Sequence, residues 1–206
     1  MRKSILSIVL VFLCVPIAAA QTERNTEFFG GYSVMRTDYE ARQPDPPTPV
    51  IVAFPGEQTL HGVNVSVTHY LKGGFGITGD FSWNSGKDRN DIVPALEIDT
   101  KIQVYNFLGG AQYKFNRSGK FSPFAHVLAG AAHTRVTLDV TGIPSSTGSA
   151  TDFAMAMGGG LDIRVNERFA VRAIQADYNP IFMGDGNQLG FKSANNFRLS
   201  FGIVFR

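Results

Sequence analysis

The sequence has few cysteines, few tryptophans and few charges. Its 206 residues include one Cys and one Trp, and charged residues make up 17%, below the roughly 25% typical of soluble domains. A single cysteine excludes a disulfide scaffold and a thiolate zinc site. The formal net charge of +2 excludes a strongly basic nucleic-acid-binding protein and a charge-rich disordered chain. The chain is instead rich in glycine and phenylalanine, with 22 and 17 residues.

Long apolar runs are also scarce, and the one present lies near residue 1. Two basic residues, Arg2 and Lys3, precede an apolar run over 5–17, and three alanines follow at 18–20. This layout predicts a cleaved signal peptide over 1–20 rather than a retained anchor, because the run is shorter than the ~20 residues of a membrane-spanning helix. Cleavage removes the cysteine and two basic residues. The remaining domain, 21–206, then has 17 basic and 17 acidic residues and is formally neutral.

The remaining chain alternates between apolar and polar residues and shows no helical period. Segments of this kind, bounded by Gly, Pro, Asn and Asp clusters, predict β-strands. In one of them Phe75, Ile77 and Phe81 share one face, while Thr78 and Asp80 share the other. The predicted strands cover 26–35, 60–70, 75–83, 98–115, 121–134, 152–165, 169–178 and 195–205.

The connections between these strands alternate between long and short. Short turns are predicted at 71–74, 116–120 and 166–168, and long loops at 36–59, 84–97, 135–151 and 179–194. All long loops therefore lie at one end of the fold and all turns at the other. Outer-membrane barrels have this arrangement, with periplasmic turns and longer external loops. We predict an all-β, eight-stranded antiparallel up-and-down transmembrane β-barrel with both termini in the periplasm.

The composition of the two faces favours lipid as the solvent. A soluble lipid-binding barrel would need a well-charged outer face, yet the polar faces consist mainly of Gly, Ser, Thr, Asn and Ala with single charges. Small residues and balanced charges suit a narrow barrel interior, and the bulky apolar faces suit lipid. Aromatic residues near strand ends are expected to form interfacial girdles; they are Phe75, Trp83, Phe115, Phe121, Tyr178 and Phe205.

Several segments carry a family resemblance. They are EFFGGYS at 27–33, GITGDF at 76–81, PFAHVLAG at 123–130, FAMAMGGGLD at 153–162 and NFRLSFGIVF at 196–205. Together they resemble the small outer-membrane β-barrel proteins, of the type of the OmpA/OmpX transmembrane domain and the opacity-like surface antigens. The resemblance implies the cell outer membrane of a Gram-negative bacterium. It also implies the barrel assembly machinery as a partner, with Phe205 as the assembly signal.

No constellation of residues predicts catalysis or metal binding. His61 and His69 lie on one strand about 26 Å apart, at 3.3 Å per residue, so they cannot share a metal. His126 and His133 are expected on opposite faces, with His126 inside the barrel. A lipid deacylase would need His, Ser and an acid on the lipid-facing surface, and His133 with its neighbour Thr134 lacks the last two. We therefore expect no enzyme, cofactor or metal.

The inward charges are expected to form an ion network that fills the lumen, because an eight-stranded barrel is just wide enough for its own side chains. The alternative is a gated ion path through the same residues. Arg172 conflicts in parity with Gln175 and Asp177, which a bulge near Ile174 would reconcile. The expected network consists of Asp80, Lys114, His126, Asp162, Arg164, Arg172, Asp177 and Arg198.

The predicted function is non-enzymatic: a structural or surface-interaction role exercised through the external loops. A small channel or transporter for ions or small solutes is the alternative, and a periplasmic lipid-binding barrel is the third. The expected partners are outer-membrane lipid and lipopolysaccharide, and an external protein or surface ligand that contacts loops 36–59 and 135–151. No nucleic-acid partner is expected.

Overall fold

A computed structural model describes residues 25–41, 57–93, 96–140, 142, 144–184 and 191–206. The predicted signal peptide and the middle of the first external loop, 42–56, lie outside the described residues. The strands are β1 (Thr26–Ala41), β2 (Glu57–Lys72), β3 (Phe75–Val93), β4 (Leu96–Lys114), β5 (Phe121–Val140), β6 (Ser146–Arg164), β7 (Phe169–Tyr178), β8 (Ile181–Phe182) and β9 (Phe191–Phe205). Within these ranges no helix is long and apolar enough to cross a membrane.

The strands form a closed antiparallel ring. Each of β1 to β6 pairs with the next strand, and β9 returns to pair with β1 from Phe28 opposite Phe205 onward. The two-residue β8 pairs with the same neighbours as β7, namely β6 and β9, so β7 and β8 share one of eight positions in the ring. The predicted eight-stranded up-and-down barrel is confirmed.

The register fixes the tilt of the strands. A ladder row followed once around the ring from Met35 on β1 arrives at Asn25, which directly precedes β1 and lies ten residues before Met35. With 3.3 Å per residue and about 4.8 Å between strands, this stagger corresponds to a tilt of about 40° from the barrel axis. Each residue then advances about 2.5 Å along the axis. In the order β1 to β9, each row climbs about 3 Å per strand toward the external end.

Outward-facing aromatic residues define a membrane band on the outer surface. At the turn end, Phe169 and Phe205 lie 5.3 Å apart between ring centroids, and Tyr113 and Phe115 lie 4.8 Å apart. At the loop end, an external girdle includes Trp83, Tyr105, His133, Phe153, Phe182 and Tyr178. The two girdles are separated along the axis by about ten residues, or roughly 25 Å, which is the height of the apolar band of outer-membrane barrels.

The strands extend beyond the predicted boundaries at the loop end. Predicted loop 84–97 is largely a hairpin extension, since β3 runs to Val93 and β4 begins at Leu96. Predicted loops 36–59, 135–151 and 179–194 likewise include strand residues at their ends, and β8 lies within the last. The polar segment 84–93 gives no alternation signal. It is nevertheless a strand, because its backbone pairs with β4 as far as Val93. Backbone hydrogen bonds between strands do not depend on side-chain polarity, and above the membrane no alternating lipid-facing pattern is needed.

Above the external girdle the orientation of the apolar residues reverses. On β4, Ile102 and Val104 are buried in the lumen, whereas Lys101 and Gln103 point outward. An apolar core therefore fills the external part of the barrel; its members include Met35, Tyr39, Leu60, Ile102, Val104, Ala132, Val136, Ile181 and Met183. The sequence predicts only small and charged residues inside. The structure corrects this, because the wall of the barrel outside the bilayer faces water.

Candidate functional site

One buried ion cluster in the lumen surrounds Arg198 of β9. Its guanidinium donates to Asp80 Oδ1 at 2.9 Å and to Asp177 Oδ2 at 2.7 Å. Asp177 Oδ1 lies 2.8 Å from His126 Nε2, and Asn64 donates to Asp80 Oδ2 at 2.7 Å. All five side chains are buried. A buried charge is tolerated when it is paired and hydrogen-bonded, and here two carboxylates from separate strands share one guanidinium.

A second cluster surrounds Asp162 of β6, nearer the turn end. Arg172 Nε donates to Asp162 Oδ1 at 2.8 Å, and Lys114 Nζ donates to Asp162 Oδ2 at 2.7 Å. Lys114 also pairs with Glu27 of β1. Arg206 Nε lies 2.9 Å from Glu27 Oε1. This cluster joins β1, β4, β6 and β7 across the lumen.

Gln175 of β7 connects the two clusters. Its Oε1 accepts a hydrogen bond from Arg172 at 2.7 Å, and its Nε2 donates to Asp177 at 2.8 Å. The Arg172 guanidinium also lies 4.3 Å and 4.2 Å from the ring centroids of Phe29 and Phe124, a cation–π arrangement that holds it in place. The connected network balances four carboxylates against four cations, apart from His126: Glu27, Asp80, Asp162 and Asp177 against Lys114, Arg172, Arg198 and Arg206.

A β-bulge brings Arg172 and Asp177 to the same face. The register between β6 and β7 shifts between Leu161 and Asp162, which are opposite Ile174 and Arg172 respectively. The extra residue, Ala173, points outward as Ile174 does. The bulge therefore resolves the parity conflict in the way that the sequence predicted.

Of the expected network residues, seven lie in this connected set and Arg164 does not. The Arg164 guanidinium donates to the backbone carbonyl oxygens of Arg117 and Ser118, so it fastens the turn between β4 and β5. Phe205 packs against Phe169 on the outer surface at the turn end; its role as assembly signal stays a prediction.

Sequence reasoning missed Glu27, Gln175 and Arg206. Glu27 shares its parity with Ser33 and Met35, which point inward, and this alternation could have found it. Consecutive aromatics at 28 and 29 concealed the parity of β1. Gln175 is a neutral side chain, and in the sequence only its parity relative to Arg172 marks it.

The other histidines lie outward and separate from the network. His61 Nδ1 lies 2.6 Å from the Tyr32 hydroxyl, His69 Nδ1 lies 2.9 Å from Thr26 Oγ1, and His133 Nδ1 lies 2.8 Å from Thr151 Oγ1. Among the described residues no group of three or more His, Cys, Asp or Glu is placed to hold a metal ion.

The buried ion pairs crosslink strands that are distant in the sequence. Lys114 and Arg198 in the ion network, and Leu60 and Ile102 in the apolar core, are each at most 1% exposed. Side chains therefore occupy the lumen at both the membrane level and the external level. What the arrangement does chemically is to connect distant strands through paired charges.

Solved structures of small outer-membrane barrels are similar to this chain. Ail, the attachment invasion locus protein of Yersinia pestis, is 18% identical with a TM-score of 0.54, covering 87% of this chain and 97% of its own. OprG of Pseudomonas aeruginosa is 13% identical with a TM-score of 0.51, covering 87% and 94%. The outer membrane protease OmpT of Escherichia coli is 9% identical with a TM-score of 0.52, covering 89% and 97%. At these identities the likeness shows the fold, which proteins with and without catalytic activity share.

A search of curated proteins finds no match. The model of the outer membrane protein beta-barrel domain family matches residues 5–205, which is nearly the whole chain. Together with the barrel neighbours, this match indicates the cell outer membrane. The chain therefore belongs to the outer membrane protein beta-barrel domain family.

Proposed function

We propose that this barrel is a non-enzymatic surface protein that contacts external partners through its strand extensions and loops. The observation that carries the proposal is the occupied lumen. Ion clusters fill it at the membrane level and the apolar core fills it at the external level. Because side chains fill the interior at both levels, the external rim is the surface that remains to contact partners.

The height of the rim supports the same proposal. The hairpin of β3 and β4 continues about ten residues beyond Trp83 and Tyr105, which is about 25 Å along the axis. Paired strands of this length hold the external segments well above the lipid headgroups. The outer-membrane location also argues against the periplasmic lipid-binding alternative.

Trimming the first loop tests the proposal. Replacing residues 42–56 by a short Gly-Ser linker should reduce adherence of cells displaying the barrel to a surface or protein that the intact barrel binds. Assembly should be unchanged, because β1 and β2 still pair from Asp38 opposite Glu57. Adherence is measured by counting bound cells, and assembly by the heat-dependent shift in gel mobility.

The matched control is a Gly-Ser replacement of the periplasmic turn residues 117–119, which changes a connection at the opposite end. If the external and periplasmic replacements lower adherence equally, or if neither does so for any surface that the intact barrel binds, the proposed role of the external loops is wrong.

A further inference from the structure

Three cations project outward from adjacent strands beyond the external girdle. Lys87 of β3 and Lys101 of β4 are directly opposite each other in the ladder. Arg135 of β5 is opposite Gln103, two residues from Lys101. Like charges placed directly opposite on one face of a sheet repel each other. Their juxtaposition therefore favours a bound anion that the protein itself does not supply.

The tilt of the strands brings the three cations to one height. Because each row climbs about 3 Å per strand, the Cα atoms of Lys87, Lys101 and Arg135 lie within about 3 Å of each other along the axis. Neighbouring strands are about 6 Å apart around the barrel at this tilt. Three long side chains at this spacing can converge on one or two phosphate groups.

The girdle beneath these cations marks the membrane boundary. The Trp83 and Tyr105 rings stack with centroids 6.5 Å apart, and the Tyr105 and His133 ring centroids are 6.2 Å apart. Amphipathic rings of this kind sit at the level of the lipid headgroups. The cations lie two or four residues further out on the same strands, about 5–10 Å along the axis, where lipid phosphates are in reach of snorkelling side chains.

The cations have no counter-ion within the described part of the chain. Lys87, Lys101 and Arg135 make no side-chain ion pair or hydrogen bond there, and Lys87 and Arg135 are exposed. On the β2 side, Arg36 and Glu57 neutralise each other. The nearest described outward carboxylates on β4 and β5, Asp99 and Asp139, are opposite each other and further from the membrane. They bound the cationic patch on its outer side.

We infer that Lys87, Lys101 and Arg135 form a binding site for the phosphate groups of a lipid in the outer leaflet. The patch lies at headgroup height, and the surface below it, including Phe107 and Phe153, is apolar and suited to acyl chains. This continuity with the lipid-facing surface favours a lipid over a soluble anion. The inference rests on the outer-membrane location and is independent of any partner at the external loops.

The test compares lipid retention by the full chain and by a triple variant. Both are reconstituted in phosphatidylcholine nanodiscs with a small fraction of diphosphorylated glucosamine lipid, and bound lipid is counted by native mass spectrometry after transfer to detergent. In K87Q/K101Q/R135Q, affinity should fall on the order of a hundredfold, since each cation near an anionic membrane surface contributes about fivefold. The dephosphorylated form of the same lipid should bind both proteins equally weakly.

The matched control is K72Q/K120Q/R168Q, which removes three exposed cations at the turn end and should retain the phosphorylated lipid as the original chain does. Heat-modifiable gel mobility checks that all three proteins are folded. Equal loss of the phosphorylated lipid in both triple variants would overturn the inference. The inference would also be wrong if the original chain retained the dephosphorylated lipid as well as it retains the phosphorylated one. Displacement of the lipid by millimolar inorganic phosphate would show a soluble-anion site instead.

Discussion

At the scale of single residues, burial gives similar charges different roles. Arg198 and Arg164 are both inward-parity arginines of the last strands, and the sequence placed both in one network. Arg198 is fully buried between two carboxylates, whereas Arg164 reaches the backbone oxygens of a periplasmic turn. Parity alone cannot separate these roles, because the position of a residue along the barrel axis depends on the stagger of strands that are distant in sequence.

Replacing Arg198 by Met should destabilise the barrel strongly. The substitution leaves Asp80 and Asp177 buried without their cation, and breaking a buried pair in this way costs about 3–5 kcal/mol. Arg164→Gln is the control and should cost about 1 kcal/mol or less, because its site at the turn is half-buried and wetter. Both values are read from urea unfolding in vesicles, followed by gel mobility. Equal losses would mean that the Arg198 pairs contribute no more than a turn contact.

At the scale of elements, the close approach of strands sets where side chains fit. On β1, Gly31 points inward and is opposite Gly202 of β9, where the ring closes. A Cβ at Gly31 would lie 2.2 Å from the carbonyl oxygen of Phe201 and 2.7 Å from the Phe29 ring. The adjacent Gly30 points outward, and a Cβ there would meet nothing within 4 Å.

Gly31→Ala should therefore weaken the closing seam, whereas Gly30→Ala should not. We expect Gly31→Ala to lower the free energy of unfolding by about 1–3 kcal/mol through overpacking, and Gly30→Ala to change it by about 0.5 kcal/mol or less. Urea titration of the two variants in the same vesicles makes the comparison. A neutral Gly31→Ala would show that β1 and β9 separate at little cost.

Strand existence was predictable from alternation, but strand ends were not. The lipid-facing pattern of β3 from Phe75 to Trp83 reads directly from the sequence. Its continuation to Val93 depends on pairing with β4, which short-range pattern does not report. The apolar and polar residues whose orientation reverses on β4, such as Ile102 and Lys101, are visible in the sequence. Assigning Ile102 to the lumen and Lys101 to the outer surface requires the position of the membrane boundary, which the sequence does not give.

At the scale of the whole molecule, the barrel has two interiors with opposite chemistry. The membrane-spanning part encloses ion pairs behind an apolar wall, and the external part encloses an apolar core behind a polar wall. From the sequence alone, the membrane barrel and the soluble barrel are exclusive interpretations. Each describes one end of this molecule, because the solvent changes along its axis.

The two stacked interiors predict an electrically silent barrel. In planar bilayers the intact protein should show no stable conductance steps, since ions would have to cross both the paired charges and the apolar core. Leu60→Ser/Ile102→Ser, which makes the external core polar, should also remain silent because the network around Arg198 persists. Single-channel recording decides the matter. Stable current through the intact protein would favour the channel alternative.

The reversed external part has a consequence for biogenesis. Its outer wall carries Lys87, Lys101 and Arg135, and these strand segments must traverse the hydrocarbon layer to reach the far side. Each exposed Lys or Arg costs about 2–4 kcal/mol at the bilayer midplane, so unaided translocation of the three meets a barrier of roughly 10 kcal/mol. Spontaneous insertion into a thick, defect-free bilayer should therefore be slow. We expect insertion to become faster where the bilayer is locally thinned or opened, because the three cations then cross less hydrocarbon.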